Sequence, residues 1–246
     1  MKNINIIAMA GAGERYVKAG IKKIKPLVFF KNKPLIHYSA KSLPKTNKII
    51  FICRNSHFKF YKLNQYFKKY FKNFKFIRLI KKTSGQAVSC NKAISSIPSN
   101  CQITFGSCDY FFSFNQKKYN NLIKKFDLIV FVTKPDKYMI KNSNQYGWIK
   151  KGANNYIKMI KCKKTVSKNP KNDFVIIGCF SFKNKNIFKK SFNLMIKKKN
   201  KINNEYYMDV VAQKTLLLKY KVAYIKVENY KNFGTPKALQ AYEQKS

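Results

Sequence analysis

Short apolar runs, most of them strand-length, alternate along this chain with segments whose apolar positions recur every three or four residues. The first run, INIIAMA, predicts a buried strand, followed by a loop to about Lys25 and then the apolar run PLVFF. KPLIHYSAKSL has helical spacing, KIIFIC predicts a strand, and SHFKFYKLNQYFKKYFKN predicts one amphipathic helix. KFIRLI predicts the next strand, with a helix from Gln86 to about Ile97 behind it. CQITFGSCD, a short helix near 117–125 and DLIVFVT continue the alternation. Such a sequence of elements predicts an α/β fold, a Rossmann-like and mainly parallel sheet flanked by helices, with ligands beyond the carboxyl ends of the strands.

The second half changes character. QYGWIKK and NYIKMIKCKKTVS read as paired strands, followed by the buried strand DFVIIGCFSFK. Two helices near 186–199 and 206–218, the strand KVAYIKVE and a closing helix complete the pattern. No internal repeat or Gly/Ser linker divides the chain, so 1–246 reads as a single domain with a composition shift near Pro135. No apolar run approaches the roughly 20 residues of a membrane span. The basic, apolar N-terminus runs directly into glycines without a cleavage-like pattern, which predicts a strand rather than a signal peptide and a cytoplasmic protein.

Composition alters this picture in two ways. The formal net charge is +43, which by itself points to nucleic acid or an anionic surface. Yet only Arg15, Arg54 and Arg78 are arginines, and arginine is what bidentate phosphate and base recognition favours. Lys, Asn, Ile, Phe and Tyr share A/T-rich codons, so a biased genome accounts for the charge and nucleic acid is disfavoured as a partner. The same bias makes each remaining arginine or acid informative; there are nine acids in all. The six cysteines form no CxxC pair and have no metal-ligand spacing, which predicts reduced, buried thiols.

The chemistry is concentrated after the first strand. In the AGAGER segment, Ala10, Gly11, Ala12 and Gly13 can bring backbone N–H groups close to phosphate oxygens. The pattern has neither the third glycine of a dinucleotide site nor the GK[ST] of a P-loop, and a bare GxG is also an ordinary turn. Arg15 beside it suits a β- or γ-phosphate. Lys25, fixed by Pro26, can reach back to the same group, although one lysine in so basic a chain carries little alone.

The run AMAGAGERYVKAGIKKIKPLVFFKNKPLIHYSAKSL resembles the opening of the sugar-phosphate nucleotidyltransferase family. TSGQA, SCD, KINNEYY and FGTP follow in the family's order, so the likeness spans about Asn3 to Tyr242. It implies a GT-A-like nucleotidyltransferase fold, with a nucleotide-binding part over about 1–134 and a small β-rich sugar-side part over about 135–246. The implied activity joins an NTP to a sugar 1-phosphate, yielding an NDP-sugar and pyrophosphate for polysaccharide or glycan biosynthesis. The implied roles place the triphosphate on Ala10, Gly11, Ala12 and Gly13, with Arg15 and Lys25 neutralising it and Gly85 and Gln86 beside the base. Asp109 is the implied ligand for the magnesium (Mg2+) cofactor, and Tyr146, Gly147, Lys163, Gly178 and Glu205 match sugar-side positions. Taken as residues alone, Asp109 also suits a strand-end turn, Lys163 a solvated strand and Glu205 a helix cap.

The attacking sugar phosphate oxygen is already anionic, so neither His37 nor His57 is needed, and their aromatic neighbours predict structural roles. The sequence departs from the family at two places. Asn232 stands where a second metal-binding aspartate is common, with Glu228 as the nearby substitute, and Cys162 stands where many members carry a glutamate. Two other readings follow from these features: a basic nucleic-acid-associated protein, and a family member that binds nucleotide without turnover. The base, the sugar and the oligomeric state are not legible.

Overall fold

A computed structural model describes residues 3–244 of the chain. In chain order its first half comprises β1 (Asn3–Ala8), α1 (Glu14–Lys18), β2 (Phe29–Phe30), β3 (Lys33–Pro34), α2 (Leu35–Ser42) and β4 (Lys48–Arg54). Then come α3 (Asn55–Phe60), α4 (Leu63–Lys68), β5 (Phe74–Leu79), α5 (Gln86–Asn91), β6 (Gln102–Ser107), β7 (Tyr110–Ser113), α6 (Gln116–Lys125) and β8 (Leu128–Thr133). The second half adds α7 (Lys137–Lys141), β9 (Gly147–Lys151), β10 (Ile157–Cys162), β11 (Phe174–Phe182), α8 (Lys185–Lys197), α9 (Met208–Leu217), β12 (Val222–Lys226), β13 (Glu228–Asn232) and α10 (Pro236–Glu243).

Nine strands form one mixed sheet, in the order β10-β9-β11-β6-β1-β4-β5, with β8 pairing both β11 and β12. The β6, β1, β4 and β5 segment is parallel, as the alternating helices require, and β12 pairs β8 in parallel. The long strand β11 runs antiparallel to β6, β8 and β9, so strands of both halves share the sheet. Successive side chains point to opposite faces. Ile4, Ile6, Ile50, Ile52 and Val130 pack beneath α5, α8 and α9. Ile7, Phe51, Ile129 and Phe131 pack beneath α2, α4 and α6. Burial on both faces explains why these strands read as continuous apolar runs.

The structure revises some elements. The expected loop before Lys25 contains the short helix α1, and PLVFF is a 3-10 turn leading into the two-residue strand β2. The single amphipathic helix expected after KIIFIC is two helices, broken at Lys62, whose backbone is left-handed (φ 45°). Phe58, Tyr61, Tyr66 and Phe67 from both sides of the break still pack into one apolar cluster, so periodicity alone gave no break. Strands β7 and β13 were not expected; they pair antiparallel and tie the segment after Asp109 to the one before Gly234. All six cysteines are buried and unpaired. Among the described residues no helix is long and apolar enough to cross a membrane.

Candidate active site

The carboxyl ends of β6, β1, β4 and β5 open into a cavity of about 600 Å³. Ala10, Gly11, Ala12, Gly13, Arg15, Lys25, Gly85, Gln86 and Asp109 line it, as do Tyr146, Lys163, Glu205 and Asn232. Residues far apart in sequence thus share one site. Gly147, Gly178 and Glu228 are not in its lining. Gly178 lies at an irregularity in β11, and Glu228 is exposed on β13 opposite Ser113.

At the β6 end, the Lys25 ammonium donates to Asp109 Oδ2 at 2.7 Å, and Ser107 Oγ donates to Oδ1 at 2.5 Å. Burial alone would raise the Asp109 carboxyl, but the adjacent Lys25 charge and these hydrogen bonds outweigh it and hold the group below its usual range. For Lys25, burial works toward losing the charge, and Asp109 more than reverses this, so the lysine stays protonated. The turn below is held by Tyr110, whose hydroxyl accepts from the Ser107 N–H at 2.9 Å. Burial pushes the Cys108 thiol up to about 12, so it is no nucleophile at neutral pH.

Two hydrogen bonds tie the segment after the glycine loop and the closing segment to Asp109. The Tyr16 hydroxyl donates to the Phe233 carbonyl at 2.7 Å, and the Phe233 N–H donates to the Asp109 carbonyl at 2.8 Å. Asn232 is brought to the same place: a Cβ on Gly234 would stand 2.9 Å from Asn232 Oδ1 and 3.7 Å from Asp109 Oδ2. Of the two candidates for a second oxygen donor, Asn232 lies near Asp109, its Oδ1 accepting from the Gly234 N–H at 2.8 Å, and Glu228 does not.

Two walls of the cavity are stitched together by backbone. Asn203 and Asn204 both adopt positive φ (49° and 60°), and Ile202 and Glu205 exchange two hydrogen bonds of 3.0 Å across them. This is the two-residue hairpin loop that asparagine tolerates, and it presents Glu205 to the cavity. The next residue, Tyr206, donates to Ser84 O at 2.8 Å and accepts from Ala87 N at 3.1 Å. Gly85 lies between them at φ 126°, and a Cβ there would stand 2.5 Å from the Tyr206 backbone. Only glycine allows that approach.

Lys163 places its ammonium 4.5 Å from the centre of the Tyr207 ring, and the Tyr207 hydroxyl is hydrogen-bonded to Glu205. Behind this wall lies Asp209, which the sequence did not mark. Gly147 matters here as a spacer, since its Cβ would fall 2.5 Å from Asp209 Oδ2. Burial raises the Asp209 carboxyl to about 6, opposed by a hydrogen bond with the Cys162 thiol and by the Lys163 charge. The cysteine at the family's glutamate position therefore sits against a carboxylate supplied from α9.

Two further lining residues escaped the sequence reading. Gln145 accepts from the Arg15 guanidinium at 3.3 Å across the cavity mouth. Arg54 Nε donates to the Ala10 carbonyl at 2.8 Å. Scarcity marked Arg54 as one of three arginines, but no motif placed it beside the glycine loop. The third, Arg78, stacks on Phe58 outside the cavity. His37 and His57 also lie outside it among aromatic rings, and burial with nearby cations lowers both below the usual histidine value.

The chain matches no protein-family model and no curated protein sequence. Solved structures match it closely in shape. The nucleoside-diphosphate-sugar pyrophosphorylase from Vibrio cholerae RC9 superposes with a TM-score of 0.81 at 17% identity, over 98% of this chain and 99% of that one. The inositol-1-phosphate CTP transferase from T. maritima gives 0.75 at 16% identity, over 98% and 94%. A UDP-glucose pyrophosphorylase complexed with UDP-glucose gives 0.75 at 16% identity, over 100% of both chains. The chain has the fold of these proteins, as the motif order implied.

Proposed function

We propose that this chain is a sugar-phosphate nucleotidyltransferase that condenses an NTP with a sugar 1-phosphate and releases pyrophosphate. The observation that carries this reading is the charge of the cavity: six cations (Arg15, Lys25, Arg54, Lys81, Lys82, Lys163) against three carboxylates (Glu14, Asp109, Glu205). Such a site suits two polyanionic substrates held together, where mutual repulsion is the main obstacle to reaction. The shared fold supports the same conclusion.

The sugar phosphate oxygen attacks the α-phosphorus in line; that P–O bond forms as the bond to the β-phosphate bridge breaks, and pyrophosphate leaves with the electron pair. No proton need be removed from an anionic nucleophile. The protein's part is alignment and charge neutralisation. Arg15 and Lys25 would receive the charge that grows on the leaving pyrophosphate, while Lys163 and Glu205 would hold the sugar phosphate and a sugar hydroxyl. Gly85 and Gln86 would border the base.

The donor set fits magnesium, which takes one or two carboxylates and otherwise keeps water and substrate phosphates. Asp109 would hold it with Asn232 as a neutral oxygen donor, and among the described residues no three His, Cys, Asp or Glu side chains form a full protein cage. Magnesium held there would supply positive charge and Lewis acidity to the reacting phosphates. Free, buried thiols suit a reducing cytoplasm, where both substrates occur.

The test is pyrophosphate release from a panel of NTPs and hexose 1-phosphates with magnesium, comparing the wild type with Asp109→Ala. We expect release for at least one pair and a loss on the order of a hundredfold or more in the variant. If no pair yields pyrophosphate, the chain is not this enzyme.

A further inference from the structure

The cavity has a direction. Asp109 follows β6, the phosphate loop follows β1, Arg54 ends β4 and residues 81–86 follow β5, and these strands are neighbours in that order. At about 4.8 Å per strand, the site extends about 14 Å from Asp109 to the β5 loop. If the triphosphate lies over β6 and β1, on Asp109, Lys25 and the glycines, then the nucleoside lies over β4 and β5. Leu79, Thr83 and Gly85 border that end.

Arg54 stands half-buried where that end meets the glycine loop. Its Nε is held by the Ala10 carbonyl at 2.8 Å, which anchors the guanidinium and leaves its far end toward the cavity. The two terminal nitrogens make no hydrogen bond or ion pair among the described residues, although Arg54 lines the cavity. A fixed guanidinium end is a pair of parallel N–H donors and matches two adjacent acceptors. Guanine offers O6 and N7, and cytosine offers O2 and N3. Adenine pairs N7 with an amino donor, and uracil and thymine separate their two carbonyls by an N–H. Lys81 and Lys82 line the same end but attract as point charges and read no edge.

We propose that Arg54 determines the nucleotide specificity of this site, selecting a base with two adjacent acceptors, that is GTP or CTP, over ATP, UTP and dTTP. This rests on the nucleotidyltransferase reading above. A good bidentate pair discriminates by roughly ten- to a hundredfold.

The experiment measures kcat/KM for pyrophosphate release with the five nucleotides, and calorimetric binding of each with magnesium, for wild type, Arg54→Lys and Arg54→Gln. Lysine can still reach the Ala10 carbonyl but has no fork, and glutamine supplies the acceptor and donor that adenine needs. We expect wild type to prefer GTP or CTP. Arg54→Lys should lose about ten- to a hundredfold on the preferred nucleotide with little change on the others, and Arg54→Gln should move the preference toward ATP. A wild-type preference for ATP, UTP or dTTP overturns the proposal. So does an equal loss on all five nucleotides, which would assign Arg54 to a phosphate. If nucleotides bind without turnover, calorimetry still decides the role of Arg54 while the enzyme reading falls. If no nucleotide binds, both fall.

Discussion

Asp209 shows how a single half-buried acid can work against the fold. Its carboxyl is packed on Gly147, and burial raises it to about 6 despite Cys162 and Lys163. A carboxyl raised above its unfolded value of 3.8 holds its proton more tightly when folded. Its contribution is therefore favourable below that value and is lost as pH rises through about 6. We expect Asp209→Asn, which can still accept from the thiol, to be more stable than wild type at pH 7.5 by on the order of 2 kcal/mol, with the gain vanishing near pH 4. Urea unfolding at the two pH values measures this, and equal stability at both would mean the acid is comfortably solvated. Asp109 is the opposite case, since Lys25 sits 2.7 Å from it and holds its carboxyl down. The SCD motif marked Asp109, whereas nothing local marked Asp209, because its neighbours arrive from β9 and β10.

Among the elements, the decisive feature is the seam between the turn before α5 and the hairpin before α9. Ser84 and Ala87 bond Tyr206 on either side of Gly85, so the wall bearing Gly85 and Gln86 is joined through backbone to the wall bearing Glu205. Gly85→Ala would drive a methyl to 2.5 Å from backbone atoms at a φ that side chains avoid. We expect a destabilisation of roughly 1–3 kcal/mol and weaker binding of both substrates, read from urea unfolding and from KM for each. A rise confined to one substrate would show that the seam does not couple the walls. The sequence showed each strand of this seam as a motif, TSGQA and KINNEYY, but not their contact. Backbone pairing over so long a separation leaves no periodic trace.

Across the whole molecule, charge is the unusual quantity. The net charge is +43, and among the described residues only Lys25 and Asp109 form an ion pair. Self-repulsion on this scale disfavours the compact state and is screened within about 10 Å at 0.1 M salt. We expect the urea midpoint to rise steadily as sodium chloride increases from 20 mM to 0.5 M. A flat response would mean that the lysines are too dispersed to repel. Over the same range, any binding of DNA or RNA should disappear steeply, because it would rest on counterion release rather than on a built site.

Taken alone, the sequence determined the layers of this protein: apolar runs became the strands of the sheet, and ordered glycine and acid motifs marked Arg15, Lys25 and Asp109, which line one cavity. Those signals are local, since burial and turn chemistry act within a few residues. Tertiary structure alone decided that Asn232 rather than Glu228 lies near Asp109, that Gly147 and Gly178 stay out of the lining, and that Arg54 and Gln145 enter it. Each of these depends on which strands become neighbours. That order is set by packing both faces of one sheet, which no short stretch of sequence specifies.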